Sequence, residues 1–181
     1  HPAMKHAIGP RREIGIRTLF NILGPLSNPA STRRGVLGVY SDAMVDLVAN
    51  ALADLETEHL FVVHGEDGLD ELTVTAPTQV AEVRHGTVTR FTVTPGEFGF
   101  EEATIDHLKG GAPADNAVIT RGILDGAPGP KRDIVLLNAG AAICAGGKAG
   151  SIQEGVLAAG ESIDSGAARE KLDRLVAMTS G

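Results

Sequence analysis

The feature that most constrains the fold of this chain is a strand–helix–strand pattern. Residues 35–40 and 60–63 are short apolar runs of the kind that form buried strands. Between them, Ser41 or Asp42 is expected to cap a helix that runs to about Leu55, because apolar side chains recur there at helical spacing. A helix of this length between two strands predicts a right-handed βαβ crossover with parallel strands. The sequence therefore predicts an α/β fold in which helices flank a mostly parallel sheet.

A loop rich in carboxylates follows the second strand. Its four acids lie within six residues: Glu66, Asp67, Asp70 and Glu71. Ligands of open α/β sheets gather beyond the carboxyl ends of the strands, which is where this loop begins. Magnesium ions typically take one or two protein carboxylates together with phosphate oxygens of a substrate. The residue types alone favour a solvated acidic loop, whereas the position at a strand end favours a magnesium site.

A β-hairpin extension is predicted next. Residues 79–84 and Thr87–Val93 alternate between apolar and polar side chains around His85-Gly86. His85 is therefore expected to be a turn residue. Residues 95–99 are expected to form an irregular connection.

Four helices are predicted after the hairpin. They span residues 113–124, residues 131–147, residues 151–163 and a last segment that starts at Asp164 or Ser165. The second of them is apolar and rich in alanine and glycine, which favours a closely packed core helix over a ligand site. Ser151 and Glu154 have the spacing of a capping box. The last helix carries the apolar stripe Leu172, Leu175 and Val176.

Composition narrows the classes of function. The 181 residues suit one domain with a sizeable core, and 43% hydrophobic with 22% charged residues is a globular composition. A net charge of −7 argues against a nucleic-acid partner. The single Cys144 excludes an intrachain disulfide and suits a reducing cytoplasm. No apolar run approaches the ~20 residues of a membrane span, and no Gly-x-Ser-x-Gly nucleophile motif occurs.

The first thirty residues carry turn chemistry next to two arginines. Gly24 and Pro25 lie in a turn whose backbone can approach a flat ligand closely, because glycine has no side chain. Arg11 and Arg12 lie upstream and can hold a carboxylate through a bidentate fork, although two solvated arginines are the alternative. The chain begins with His1 rather than Met, so it is expected to be part of a longer or processed protein.

Four motifs, taken in order, resemble the anthranilate phosphoribosyltransferases, which join anthranilate to phosphoribosyl pyrophosphate (PRPP) in tryptophan biosynthesis. The motifs are His1-Pro-Ala-Met, then Arg11-Arg-Glu-x-Gly-Ile-Arg-Thr-x-Phe-Asn-Ile-Leu-Gly-Pro-Leu-x-Asn-Pro, then Val63-His-Gly-x-Asp-Gly-Leu-Asp-Glu, and finally Val135-x-Leu-Asn-Ala. The resemblance covers essentially the whole chain and keeps the family's order. The second motif is long and specific, whereas Gly-Leu-Asp-Glu alone would be weaker evidence.

The resemblance implies a fold and a metal site. The fold is the C-terminal type of the nucleoside phosphorylases and phosphoribosyltransferases, with residues 1–181 as a single α/β domain of a larger two-domain enzyme. Asp70 and Glu71 match the acidic pair that holds Mg²⁺ on the pyrophosphate of the donor. Together with Arg11 they are the catalytic residues that the resemblance implies.

The resemblance also implies an acceptor site. Arg11 matches the arginine that binds anthranilate through its carboxylate, and Gly24 with Pro25 matches the turn that lines the aromatic pocket. His1 matches a histidine near that pocket. These four residues are the substrate-binding residues that the resemblance implies.

One part of the family pattern is not found. The family's glycine-rich phosphate loop and its helical domain would precede His1. The chain is therefore expected to turn over little on its own. The resemblance further implies a cytoplasmic, homodimeric full-length enzyme with Mg²⁺ as cofactor and with no nucleic-acid or membrane partner.

Three alternatives stay open at this point. A pyrimidine nucleoside phosphorylase has a similar fold, but it would use phosphate as the nucleophile and would not need the anthranilate turn. Another alternative is a non-catalytic relative that binds nucleic acid or a partner protein. The net charge of −7 disfavours nucleic acid, and an intact acidic pair would be an unnecessary cost to a mere scaffold. The chain could also be a stable subdomain whose function resides in the remainder of the enzyme.

Overall fold

The computed structural model describes residues 32–55 and 57–179, together with the isolated positions Gly9 and Glu13. The strands in these ranges are β1 (Arg34–Gly38), β2 (His59–Gly65), β3 (Thr78–Arg84) and β4 (Thr87–Val93). The helices are α1 (Asp42–Asp54), α2 (Ile105–Leu108), α3 (Pro113–Leu124), α4 (Pro130–Ala145), α5 (Ile152–Asp164) and α6 (Ala167–Thr179). A short 3₁₀ helix, Pro95–Phe98, lies where the sequence predicted an irregular connection.

The predicted strand–helix–strand unit is confirmed. β1 pairs with β2 in parallel, in a register that places Arg34 opposite His59 and Gly38 opposite Val63. Ser41 is the N-cap residue of α1, as expected. The second strand is longer than the apolar run 60–63, because it extends into His59 at one end and to Gly65 at the other.

The α/β class with flanking helices is confirmed, and the sheet is mixed rather than mostly parallel in the residues that the structure describes. The strand order is β1-β2-β3-β4, and both the β2–β3 and the β3–β4 pairs are antiparallel. The predicted hairpin extension therefore supplies two of the four described strands. Its two-residue turn has positive φ at His85 (49°) and Gly86 (79°), which confirms His85 as a turn residue.

The sheet is covered on both faces. Along β2, Phe61 and Val63 face a core that contains residues of α4 and α5, whereas Leu60 and Val62 face α1. This alternation follows from the two-residue period of a strand. Burial on both faces explains why β2 appears in the sequence as an unbroken apolar run.

The helical second half follows the predictions closely, with three differences. The short helix α2 was not predicted. Ser151 Oγ accepts a hydrogen bond from Glu154 N–H (3.1 Å), as a cap should, but the Glu154 carboxylate accepts from Gly150 N–H (2.7 Å). The last helix begins at Ala167, and its predicted apolar stripe is not core, since Leu175 is 58% and Val176 is 49% exposed. This helix packs at the rim of the domain, against α5 and α3.

The described helices include no segment that combines the length and the apolar character needed to cross a bilayer.

Candidate active site

The acidic loop, residues 65–71, is a compact turn at the carboxyl end of β2. Gly65 N–H donates to Leu69 O (2.8 Å), and Gly68 N–H donates back to Gly65 O (2.9 Å). Glu66 N–H donates to Pro77 O (2.9 Å), which ties the turn to the entry of β3. The loop therefore has a defined backbone path rather than an open one.

Two of the four carboxylates organise the loop. Asp67 Oδ2 accepts hydrogen bonds from the hydroxyls of Thr73 (2.6 Å) and Thr75, and Asp67 Oδ1 accepts from Leu69 N–H (3.0 Å). Partial burial acts to raise the pKa of Asp67, but these hydrogen bonds outweigh it and hold the pKa below its ordinary value. Glu66 Oε1 accepts from Gln79 Nε2 (2.8 Å).

The other two carboxylates have no partner among the described residues. Asp70 and Glu71, called the acidic pair below, are exposed and make no hydrogen bond or ion pair to any residue that the structure describes. The same residues contain no group of three His, Cys, Asp or Glu side chains that could hold a metal ion unaided. Two free carboxylates fit an ion whose remaining ligands are water and substrate phosphate, which is the usual coordination of Mg²⁺.

Glu71 has a perturbed carboxyl group. Partial burial of that carboxyl is the largest cause that raises its pKa, and repulsion from Asp70 and then from Asp67 raises it further. A cation at the acidic pair would relieve this repulsion. The electrostatics of the loop therefore favour a bound cation.

Glu71→Gln is expected to stabilise the metal-free protein at neutral pH. Because the folded state raises the Glu71 pKa, the ionised group opposes folding above its ordinary value of 4.5 and contributes no such penalty below it. In thermal denaturation without Mg²⁺, we expect the Tm of this variant to exceed that of the wild type by roughly 1–3 °C at pH 7.5 and to equal it near pH 4. Glu161→Gln, on the surface of α5, is the control and should show no gain. A lower Tm for Glu71→Gln at pH 7.5 contradicts this electrostatic account.

Two neighbouring elements hold the backbone of the acidic pair. Gly38, the last residue of β1, lies against Asp70 so closely that a Cβ on Gly38 would be 1.5 Å from the Asp70 carbonyl oxygen. On the other side, Asn138 of α4 accepts from Leu72 N–H (3.0 Å) and donates to Leu72 O (2.7 Å). Sequence reasoning assigned residues 131–147 to the core and missed this contact. The sequence signal that could have indicated this contact was Asn138 itself, the one amide side chain in an apolar helix.

His64 joins the carboxyl ends of the two parallel strands. Its Nδ1 donates to Val39 O (2.9 Å), which fixes the ring of the half-buried His64 beside the end of β1. Val39 N–H in turn donates to Val63 O (2.9 Å), so the pairing continues one residue past β1. Hydrogen bonds therefore join the carboxyl ends of β1 and β2 next to the acidic loop.

Two cavities lined by described residues lie away from the acidic pair. One, of about 410 Å³, is at the opposite end of β1 and β2 and is lined in part by Arg34, Arg84 and Lys148. A second, also about 410 Å³, is lined in part by Ile119 and Ile123 of α3. Neither of these two cavities has Asp70 or Glu71 in its lining.

The predicted site residues divide into two groups. Asp70 and Glu71 are adjacent on the exposed loop, as the motif required. His1, Arg11, Gly24 and Pro25 lie outside the described residues. Their position relative to the acidic pair stays a prediction.

Comparison with known sequences identifies the family to which this α/β domain belongs. Residues 1–169 match the glycosyl transferase family, a/b domain, and the chain belongs to that family.

Individual relatives carry a narrower name. The anthranilate phosphoribosyltransferase of Desulforudis audaxviator is 56% identical over 179 residues, which are 99% of this chain and 52% of that protein. The crystal structure of anthranilate phosphoribosyltransferase from Thermus thermophilus matches with a TM-score of 0.91 at 44% identity, over 100% of this chain and 54% of that one. These findings confirm the resemblance drawn from the motifs. The chain spans about half the length of the curated relatives it matches.

The yeast relative has been solved with ligands. The structure of anthranilate phosphoribosyltransferase from Saccharomyces cerevisiae in complex with PRPP and Mg matches with a TM-score of 0.85 at 31% identity, over 96% of this chain and 50% of that one. Both ligands are bound to the yeast protein.

Proposed function

We propose that this chain is a single α/β domain of an enzyme that transfers the phosphoribosyl group of PRPP to anthranilate, giving N-(5-phosphoribosyl)anthranilate and pyrophosphate. Such an enzyme is a pentosyltransferase of tryptophan biosynthesis. The observation that carries the proposal is the acidic pair at the end of a parallel strand, which is free of partners among the described residues. It is supported by relatives that bear the name of this activity.

Asp70 and Glu71 are the proposed Mg²⁺ ligands. When bound there, the ion would supply Lewis-acid stabilisation of the charge that gathers on the departing pyrophosphate. The backbone of the loop would determine the position of the ion. Asp67 and Asn138 hold that backbone and do not bind the carboxylates of the acidic pair. The yeast relative solved with PRPP and Mg supports the use of magnesium.

The acceptor site is proposed at the first thirty residues. Arg11 binds the anthranilate carboxylate through its guanidinium fork, and the Gly24-Pro25 turn with His1 lines the space for the ring. The amine of anthranilate already has a lone pair, so it requires placement more than activation. Binding and orientation are therefore the tasks assigned to these residues.

Arg11→Ala in the full-length enzyme tests the proposal through the two substrates separately. Loss of a charge-assisted fork is expected to raise the KM for anthranilate by about 10- to 100-fold. The KM for PRPP should change by about twofold or less, because Arg11 is assigned to the acceptor only. Steady-state kinetics with each substrate varied in turn provide both values.

The neighbouring arginine is the matched control for that experiment. Arg12→Ala removes the same charge one residue away and is expected to leave both KM values close to those of the wild type. An equal rise of the two KM values in Arg11→Ala contradicts the acceptor role. Activity with thymidine and phosphate, and none with anthranilate, would instead favour a pyrimidine nucleoside phosphorylase, an alternative that the relatives above do not support.

In the full-length enzyme, a helical domain is proposed to help bind PRPP. The enzyme is proposed to form a homodimer through that domain and to be cytoplasmic. The length of the relatives supports a partner domain, since each is about twice as long as the part that matches this chain. That the 181-residue chain turns over little by itself stays a prediction.

A further inference from the structure

We propose that Asn138 is a positioning residue for the acidic pair, so that α4 rather than the loop alone determines where Asp70 and Glu71 lie. This inference rests on the proposed function, because it assigns Asn138 to the same metal site. It is carried by the two hydrogen bonds that the Asn138 amide makes to the backbone of Leu72.

The first of these bonds acts directly on Glu71. The Leu72 N–H that donates to Asn138 Oδ1 (3.0 Å) belongs to the same peptide group as the Glu71 carbonyl. Since a peptide group is planar and rigid, a bond to its N–H fixes the direction of the carbonyl and thus the backbone of Glu71. The second bond, from Asn138 Nδ2 to Leu72 O (2.7 Å), fixes the following peptide group.

The backbone that Asn138 binds has no access to solvent. Leu72 has 0% of its surface exposed, so its N–H and C=O need partners within the protein. Leu72 also anchors the loop in the core shared with α4, where it belongs to the same cluster as Leu137. Asn138 is therefore the hydrogen-bonding part of an apolar anchor placed next to the acidic pair.

The Asn138 side chain is itself fixed. Its Nδ2 also donates to Ile134 O (2.9 Å), one turn earlier on α4, so both amide hydrogens and the amide oxygen are engaged. The neighbouring Leu137 and Ala141 are completely buried. An amide held in this way transmits the position of α4 to the loop.

The rest of the loop does not duplicate this restraint. Asp67 organises the residues before the acidic pair and the threonines beyond it. Gly38 contacts the Asp70 backbone by packing alone. The peptide group after Leu72 is also held by Thr78, whose Oγ1 accepts from Thr73 N–H (3.0 Å). Among the residues that the structure describes, Asn138 is the one side chain that hydrogen-bonds the peptide group joining Glu71 to Leu72.

The test compares Asn138→Ala with Val48→Ala in the full-length enzyme, at a temperature where both variants are folded. Val48→Ala removes buried packing from α1, in the separate core on the other face of the sheet, and is the control for lost stability. We expect Asn138→Ala to raise the Mg²⁺ concentration for half-maximal turnover by about 10- to 100-fold, the range found for residues that orient metal ligands. The KM for anthranilate should change by less than about twofold. Val48→Ala should leave both values close to those of the wild type.

Three outcomes separate the inference from the proposed function. An equal shift in both variants, or no shift in Asn138→Ala, overturns the positioning role. If Asp70→Asn, assayed in parallel, leaves the Mg²⁺ dependence unchanged, the metal assignment of the proposed function fails. If Asp70→Asn shifts the dependence and Asn138→Ala does not, only the positioning role fails.

A measurement on the wild-type enzyme decides the question if Asn138→Ala does not fold. The Leu72 amide should exchange slowly with solvent in the free enzyme, and adding Mg²⁺ with PRPP should slow this exchange at least about tenfold further. If the hydrogen bonds between Asn138 and Leu72 favour binding of the ion, binding of the ion must stabilise those hydrogen bonds in return, because coupling is reciprocal. The Phe91 amide of β4, outside the acidic loop and α4, is the comparator for any global effect. Leu72 exchange at the rate of an open loop, or slowing no greater than that at Phe91, overturns the positioning role.

Discussion

The full-length enzyme carrying Asp70→Asn is expected to turn over about 100-fold more slowly than the wild type at saturating substrates, a loss of about 2.7 kcal/mol of transition-state stabilisation. Asparagine keeps the size of the side chain but removes its charge, so one of the two carboxylates of the acidic pair no longer holds the ion against the departing pyrophosphate. The deficit should shrink as the Mg²⁺ concentration is raised, because the remaining Glu71 still binds the ion weakly.

The same loop supplies the control for this prediction. Glu66→Gln removes a carboxylate four residues away that already accepts a hydrogen bond from Gln79, and its turnover should stay within about twofold of the wild type. Initial rates over a range of Mg²⁺ concentrations measure both variants. Wild-type turnover by Asp70→Asn at low Mg²⁺ would show that the acidic pair does not carry the metal.

Gly155→Ala is expected to have the largest effect on stability. α4 and α5 cross with two glycines at the contact, and a Cβ on Gly155 would lie 2.1 Å from the carbonyl oxygen of Gly140. Backbone at that distance cannot move aside without separating the helices. Overpacking typically costs about 1–3 kcal/mol, and contact with backbone that cannot move aside lies at the upper end of that range. The cost therefore exceeds the roughly 1 kcal/mol that alanine gains over glycine in a helix. We expect a Tm lower by about 3–8 °C.

A second glycine of α5 makes the test specific to the crossing. A Cβ on Gly160 would meet no atom of the described residues within 4 Å, so Gly160→Ala should gain helix propensity and raise the Tm slightly. Thermal denaturation of the two variants side by side separates packing from propensity. A Tm for Gly155→Ala at or above the wild-type value would contradict the close crossing of α4 and α5.

The features that the sequence predicted well depend on local patterns. The strand–helix–strand unit follows from apolar spacing over residues 35–63, and the hairpin follows from alternation around His85-Gly86. The pairing of β3 with β2 has no such local signal, since strand neighbours are chosen by the whole fold. The mixed character of the sheet could therefore not be foreseen.

The candidate site was predictable in its acids but not in its supports. The motif pointed to Asp70 and Glu71, which have no partner among the described residues, whereas Asp67 is engaged by Thr73 and other loop neighbours. The composition of the loop could not distinguish Asp67, which holds the loop together, from Asp70 and Glu71. The Thr73 and Thr75 hydroxyls that bind Asp67 lie outside residues 65–71. Asn138 was missed since its partner, Leu72, is 66 positions away in the sequence.

The most direct test of the account is the location of the metal in crystals of the full-length enzyme with PRPP, with Mn²⁺ substituted for Mg²⁺ to give an anomalous signal. We expect the ion at about 2.0–2.3 Å from a carboxylate oxygen of Asp70 or Glu71 and from a pyrophosphate oxygen of the donor. An ion bound to the donor elsewhere, with both carboxylates facing bulk solvent, would contradict the central claim.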